Sequence, residues 1–117
     1  MQNASIQLNQ QLNNYLAYLR DEKHSSANTI QAYRRDLEKF FEFASIRKID
    51  SFTKLNAEDV EEYKFFLNSI GLSASSVSRS LSSLRGLFQY LLAEGLMDHN
   101  PAKDVHNDKV ARKELNV

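Results

Sequence analysis

The sequence contains no cysteine, which excludes disulfide bonds, thiolate nucleophiles and cysteine metal ligands. It has one proline and three glycines in 117 residues, a composition that favours long helices joined by short loops. No apolar run approaches the ~20 residues needed to cross a bilayer. The polar N-terminus also lacks the basic start and apolar core of a signal peptide. We therefore expect a cytoplasmic protein with no membrane partner.

Net charge is absent too, because fifteen basic residues balance fifteen acidic ones. This balance counts against binding a polyanion through bulk charge. The charges are nevertheless segregated along the chain. Residues 23–35 hold three cations and no acid, residues 71–93 hold two arginines and no acid, and residues 58–62 hold four acids. Segregation of this kind predicts a basic side and an acidic side on one folded domain.

Apolar residues recur at spacings of three and four, which predicts four helices. The first runs from about residue 5, with Ser5 as a candidate N-cap, to about residue 22. The second starts near residue 26 or 28 and ends near residue 44. The third has Asn56 as its N-cap and ends at Gly71, and the fourth lies between Ser73 and Gly95. Residues 45–55 are predicted as a loop, with an extended piece at 49–53.

Each predicted helix has an apolar stripe that faces the core. The inward positions are Leu8, Leu12, Tyr15, Leu16 and Leu19 in the first helix; Ile30, Tyr33, Leu37, Phe40, Phe41 and Ala44 in the second; Val60, Tyr63, Phe66, Leu67 and Ile70 in the third; and Val77, Leu81, Leu84, Phe88, Leu91 and Leu92 in the fourth.

The opposite side of the fourth helix is unusual, because serine and glycine replace the better helix formers of an ordinary solvent side. Its members are Ser75, Ser78, Arg79, Ser82, Ser83, Gly86 and Gln89. Small side chains let a helix backbone approach another surface closely, and Arg79 and Arg85 suit a phosphate or a guanine edge. The alternative is a core helix with a serine-rich solvent side and two incidental arginines.

The second helix carries its cations, Arg34 and Arg35, in the first half of its outer side. The second half mixes Asp36, Glu38, Lys39 and Glu42. The N-terminal half also has the free backbone N–H groups and the positive end of the helix dipole, so it is suited to a phosphate.

No pattern of a catalytic or metal site is present. The three histidines, His24, His99 and His106, match neither the HxxxH nor the HExxH spacing, and no glycine-rich phosphate loop exists. The acids of residues 58–62 are interpreted as a solvated first turn of a helix, where negative charge is favourable. We expect no cofactor, no metal and no autonomous enzymatic activity.

Two segments carry a resemblance to a known family. Residues 25–43 include the motifs Asn28-Thr29-Ile30, Ala32-Tyr33 and Asp36-Leu37, and residues 75–102 include Ser82-Ser83-Leu84-Arg85, Leu87-Phe88, Tyr90-Leu91 and Asn100-Pro101. Leu55 and Asp59-Val60 match the start of the third helix. In this order and spacing, residues 8–102 resemble the N-terminal core-binding domain of tyrosine recombinases of the phage integrase and Xer type.

The resemblance implies an all-α, four-helix SAM-like bundle built from orthogonal helical hairpins. It implies a DNA-binding domain at residues 1–102 and, at 103–117, a linker toward a catalytic domain of the same polypeptide. In the family the second and fourth helices lie at the major groove of double-stranded DNA, and protomers assemble as a tetramer. The family's catalytic residues and its His-x-x-Arg motif do not occur in this chain, so we expect a non-catalytic piece of a longer protein.

The predicted DNA-binding residues come from two sources. The resemblance implies Thr29, Gln31, Ala32, Arg35, Ser75, Ser76, Arg79 and Ser83, and the outer sides of the helices add Arg34, Ser78, Ser82 and Arg85. Arg79 is the candidate for a base edge, and Arg34, Arg35 and the serines are candidates for phosphates. An alternative to DNA contact stays open for two of these arginines. Arg34 could instead be a surface arginine that pairs with Glu38. The stem of Arg85 could instead pack along the edge of the core with its head group free.

With so few cations on one side, we expect weak DNA binding by the isolated chain, in the range of ~10⁻⁴–10⁻⁶ M that is typical of non-specific association. A competing hypothesis is a helical protein–protein interaction module, because the serine- and glycine-rich side could seat another helix.

Overall fold

The computed structural model describes residues 2–49 and 51–107 of the chain. This part contains four α-helices and one 3₁₀ turn. The helices are α1 (Gln2–Asp21), α2 (Ala27–Ile46), α3 (Ala57–Ser69) and α4 (Ala74–Ala93), and the 3₁₀ turn spans Phe52–Lys54. No strand occurs among the described residues. The predicted all-α bundle of four main helices is confirmed.

Polar caps set the starts of three helices. The Ser26 hydroxyl accepts from the Thr29 amide at 3.2 Å, and the Ser73 hydroxyl accepts from the Ser76 amide at 3.1 Å. At α3, the Asn56 side chain accepts from the Asp59 amide, while the Asp59 carboxylate accepts from the Asn56 amide, both at 3.0 Å. This reciprocal capping box satisfies two backbone donors that would otherwise lack partners.

The core is organised around α4, which packs against α1, α2 and α3. Its predicted stripe is buried except for Leu92, which is half-buried, and Ser80, Ser83 and Leu87 beside that stripe are buried as well. A helix surrounded on three sides needs a wider apolar or small-residue surface than a helix with one neighbour, and α4 meets that need with serine and glycine as well as leucine.

Gly86 shows how closely α1 approaches α4. A Cβ atom at this position would collide with the Tyr15 hydroxyl, and Tyr15 itself is buried. The Tyr15 ring also lies 5.4 Å from the Tyr90 ring, centroid to centroid. The missing side chain at Gly86 therefore lets α1 place a buried tyrosine directly over the α4 backbone.

Two boundary predictions are wrong. Ser5 is not an N-cap but lies inside α1, because residues 2–4 contain no proline or glycine to interrupt the helix. The extended piece predicted at 49–53 is also absent from its described residues. Phe52–Lys54 form a 3₁₀ turn, in which the Ser51 hydroxyl accepts from the Thr53 amide and Phe52 packs on Phe41. Burial of Phe52 favours this tight turn over an extended segment.

The inner side of α3 is narrower than predicted. Val60, Tyr63 and Leu67 are buried, but Phe66 is 38% exposed and Ile70 is 49% exposed. Phe66 instead packs at the edge of the core, with its ring tilted against the Phe43 ring at a centroid distance of 5.5 Å. The stripe was predicted too wide because a short helix that packs mainly on α4 buries only one row of residues.

Residues 103–107, predicted as the start of a linker, pack against the bundle. Val105 and Asn107 are buried, and the Asn107 amide donates to the Ala74 carbonyl at 3.2 Å. Lys64 holds the same segment through the His106 carbonyl at 3.0 Å. The folded unit therefore extends to at least residue 107, and the rest of the predicted linker, residues 108–117, lies outside the described part of the chain.

Candidate nucleic-acid interface

The predicted DNA-binding residues lie on α2 and α4, which pack against each other. Seven of them are exposed and four are half-buried. The exposed residues, which we call the α2–α4 face, are Thr29, Gln31, Arg34, Arg35, Ser75, Arg79 and Ser82. The half-buried ones are Ala32, Ser76, Ser78 and Arg85.

An ion pair between Asp36 and Arg79 joins the two helices at this face. Arg79 Nε donates to Asp36 Oδ2 at 2.9 Å, and Arg79 Nη2 donates to Asp36 Oδ1 at 3.0 Å. The Asp36 side chain is 7% exposed, whereas the Arg79 side chain is 49% exposed. The hydrogen bonds to Asp36, followed by its negative charge, raise the pKa of Arg79 above its ordinary value.

Ser83 completes the anchor beneath Arg79. Its hydroxyl lies 3.2 Å from Asp36 Oδ2 and 3.1 Å from the Arg79 carbonyl oxygen, and its single O–H can donate to either of these acceptors. The Asp36 carboxylate thus receives two hydrogen bonds from Arg79 and has the Ser83 hydroxyl as a third donor within reach. A carboxylate buried in this way needs such partners, because an unpaired buried charge is costly.

Asp36 and Ser83 correct two predicted placements. Both were assigned to exposed helix sides, but Asp36 is buried and Ser83 is fully buried. Ser83 therefore cannot line a DNA-contacting surface in this fold. The signal for Asp36 was present in the sequence, since it follows Tyr33 by three residues and precedes Phe40 by four, on the inward stripe of α2.

Arg34 and Arg35 differ in how far they are engaged. Arg34 Nη1 lies 3.9 Å from a Glu38 carboxylate oxygen and 3.5 Å from the Asn13 side-chain oxygen. The predicted alternative, an ion pair between Arg34 and Glu38, is thus present, but its long distance and exposure mean that it contributes little to stability. Arg35 is exposed and forms no hydrogen bond or ion pair within residues 2–49 and 51–107.

Arg85 holds the tail of the described chain. Its guanidinium donates to the Val105 carbonyl and, at 3.0 Å, to the Ser82 hydroxyl. The Asn100 side chain in turn donates to the Arg85 carbonyl at 3.2 Å. The alternative in which the head group of Arg85 is free is therefore wrong, because the guanidinium donates to the carbonyl of Val105, 20 residues away.

The acids of α3 are partly neutralised by neighbours. Glu61 pairs with Lys64 at 2.9 Å and Glu62 pairs with Arg47 at 2.7 Å, while Asp59 serves the capping box. No group of His, Asp and Glu side chains in the described chain is arranged to hold a metal ion. None of the described helices combines the length and the apolar character that a bilayer crossing demands.

Comparison with known proteins gives a consistent picture. The family model described as the phage integrase N-terminal SAM-like domain matches residues 12–95. A crystal structure of the N-terminal domain of a phage integrase/site-specific recombinase from Haloarcula marismortui has a TM-score of 0.76 at 22% identity. That match covers 85% of this chain and 93% of the other, which is a likeness of fold.

Longer relatives are similar in sequence. The chain is 41% identical over 106 residues to the tyrosine recombinase XerC of Pseudomonas fluorescens strain Pf-5, a match that covers 91% of this chain and 36% of the relative. It is 30% identical over 105 residues to the tyrosine recombinase XerC of Roseiflexus sp. strain RS-1, covering 90% and 34%. The chain spans about a third of the length of these curated relatives.

Proposed function

The chain belongs to the family of phage integrase N-terminal SAM-like domains, and from this premise we propose that it is the DNA-binding domain of a site-specific tyrosine recombinase. In this proposal α2 and α4 dock on the major groove of the recombination site. A following catalytic domain of the same polypeptide cuts and rejoins the strands, and protomers meet as a tetramer on DNA. This chain supplies binding and no catalytic residue.

One observation carries the proposal: α2 and α4, which hold the two acid-poor, basic stretches of the sequence, pack against each other and are joined by the Asp36–Arg79 pair. Charge that is dispersed in the sequence is thereby collected at one surface, as binding a polyanion requires. The acids of α3, in contrast, are partly occupied by Lys64 and Arg47. A neutral chain can then present a locally cationic surface.

The residues of the α2–α4 face divide by chemistry. Arg79, at the junction of the helices, is assigned to a guanine edge. Arg34 and Arg35 lie in the first half of α2 and are assigned to phosphates, together with the hydroxyls of Ser75 and Ser82. Arg85 is assigned to holding the tail, because its guanidinium already bonds Val105 and Ser82.

Titration with a short duplex at low salt tests the proposal. We expect amide NMR shifts to cluster at residues 29–35 and 75–82, with a dissociation constant of roughly 10⁻⁴–10⁻⁶ M that weakens steeply with salt. Arg35→Glu should weaken binding by about tenfold or more and reduce the salt slope by roughly 1, because each phosphate contact contributes about 0.9. Arg35 suits this test since it is exposed and has no hydrogen bond or ion pair within the described chain to lose.

Arg20→Glu is the matched control, because Arg20 is an exposed arginine on α1 that pairs only with the adjacent Asp21 in the described structure. This variant has the same change of charge but lies outside the α2–α4 face, so its affinity should stay within about twofold of the parent chain. Equal losses for Arg20→Glu and Arg35→Glu would reduce the interaction to bulk charge. No shifts with any duplex would refute the proposal.

A protein-binding role is the second candidate, and two exposed apolar side chains outside the α2–α4 face favour it. Phe65 is 69% exposed on α3, and Ile46 at the end of α2 is 81% exposed. Aromatic residues such as phenylalanine are enriched at protein–protein interfaces. If shifts on adding duplex are absent, or fall on α3, a protein partner becomes the better interpretation of this domain.

A further inference from the structure

The pairing of Arg79 leaves a specific edge of its guanidinium unoccupied. A guanidinium has five N–H donors in one plane. Asp36 takes the side edge, formed by Nε and one N–H of Nη2. The end edge, formed by Nη1 and the other N–H of Nη2, receives no acceptor from the described residues. Its two parallel donors match the O6 and N7 acceptors that guanine presents in the major groove.

The anchored edge is also the buried one. The Asp36 side chain is 7% exposed and the Arg79 side chain 49% exposed, so the guanidinium is held from below and reaches solvent above. Ser83 fixes the carboxylate from α4, at 3.2 Å from Oδ2. An arginine normally loses considerable rotamer freedom when it binds a ligand, and a side chain already fixed within the protein loses less.

We propose that Asp36 is a positioning residue for sequence recognition, which clamps Arg79 side-on so that the end edge of the guanidinium is presented to a guanine. This inference rests on the proposed DNA-binding function of the α2–α4 face and adds the source of its base selectivity. The carboxylate does two things: it fixes the plane of the guanidinium, and it offsets the positive charge that would otherwise draw Arg79 to a phosphate.

The offset of charge distinguishes this role from a merely structural one. A structural ion pair, when broken, lowers stability and weakens all DNA binding alike. A positioning carboxylate, when neutralised, releases an arginine that is free to reach phosphates. Asp36→Asn should therefore lose guanine preference while its affinity for unrelated duplex stays constant or rises, since one negative charge has left the surface region.

The probe is a pool of 20-base-pair duplexes of random sequence, from which the 117-residue chain selects its preferred sites. The guanine with the strongest preference is then replaced by 7-deazaguanine, which lacks the N7 acceptor, or by another base. We expect the parent chain to bind the substituted duplexes roughly 5- to 150-fold more weakly than the guanine duplex, which is the range typical of a bidentate contact. Arg79→Ala and Asp36→Asn should each reduce that ratio to within about threefold of unity.

Glu42→Gln is the matched control, because it removes one acid from an exposed position of the same helix. It should keep the guanine ratio of the parent chain. Far-ultraviolet circular dichroism checks that each variant is folded. If Asp36→Asn does not fold, Ser83→Ala takes its place, with a partial loss of the ratio expected because only one of the hydrogen bonds to the carboxylate is removed.

The outcomes separate the two proposals. If the parent chain binds no duplex, both fail. If it binds duplex without any guanine preference, or if folded Asp36→Asn keeps the parent ratio, the positioning role is overturned and the DNA-binding role stands. If Asp36→Asn weakens binding to all duplexes equally with an unchanged ratio, the pair serves the fold and not recognition.

Discussion

Helices α3 and α4 pack against each other, yet they use their surfaces in opposite ways. Helix α4 buries eight residues, two of them serines, and Gly86 admits Tyr15 at close range. Helix α3 buries three residues and leaves Phe65 and Phe66 exposed. The crowded helix therefore combines large apolar residues with small ones, whereas the less crowded helix leaves two phenylalanines exposed.

The comparison extends to charge. The carboxylate beside α4 is Asp36, which is buried and fully engaged by Arg79 and Ser83. The acids of α3 are more exposed and form pairs near the surface, such as Glu62 with Arg47. Exposed pairs contribute little to stability, whereas a buried carboxylate strongly fixes the partners that it needs. Geometry around the α2–α4 face is thus held more tightly than geometry around α3.

The largest expected difference between α3 and α4 is in the stability lost when one side chain on each helix is truncated. Leu81 is fully buried in α4, so Leu81→Ala should lower the free energy of unfolding by about 2–5 kcal/mol. Phe65→Ala on α3 removes a larger side chain but should change it by no more than about 0.5 kcal/mol, because that ring is exposed. Urea denaturation measures both. Similar losses for the two variants would mean that α3 is buried against something in solution.

A smaller effect is expected at the contact between Gly86 and Tyr15. Gly86→Ala should gain helix propensity, about 1 kcal/mol, but the new methyl group meets the Tyr15 hydroxyl, and overpacking typically costs about 1–3 kcal/mol. We expect a net loss of stability on thermal denaturation. Adding Tyr15→Phe removes the clashing oxygen and should restore most of it. A double variant as unstable as Gly86→Ala alone would contradict this account of the contact.

Local features of the sequence were sufficient to predict most of the fold. The N-cap at Asn56, the approximate starts of α2 and α4 and the buried leucines of α4 follow from residue types and spacing within a few residues. The placement of the predicted site on two adjacent helices followed from charge segregation and from family resemblance.

Features that depend on distant partners were missed. The inward position of Asp36 follows from its spacing on α2, but its partner Arg79 lies 43 residues away, and no local pattern contains that pairing. Ser83 is predicted to be a surface residue because the sequence pattern of a serine on a helix is the same whether the serine lies in a crowded helix interface or in water. The same holds for Val105, which is buried only because the tail folds back toward Arg85.

The smallest effect concerns Tyr63, where α3 meets the interior. Its hydroxyl is buried and has no hydrogen-bond partner among the described residues, in contrast to the satisfied carboxylate of Asp36. An unpaired buried polar group costs about 1–3 kcal/mol. Tyr63→Phe should therefore leave stability at neutral pH unchanged or raise it by about 1 kcal/mol, as measured by urea denaturation. A loss above about 1 kcal/mol would mean that the hydroxyl bonds a buried water.

The pH dependence of the same variant sharpens the test. Burial, and then the charges of Asp36 and Glu42, raise the pKa of Tyr63 above the ordinary value of 10.0. Above pH 10 the unfolded tyrosine loses its proton while the folded one keeps it, so the unfolded state binds fewer protons and stability falls as pH rises. Tyr63→Phe removes this contribution, so its free energy of unfolding should fall less between pH 8 and pH 11 than that of the parent chain.

Tyr15, whose pKa is also raised by burial, is present in both chains, so its contribution cancels in the comparison. Equal slopes would show that Tyr63 ionises as readily in the fold as in water, and that its ring is less enclosed by α2 and α3 than its contacts with Phe40 and Phe43 indicate.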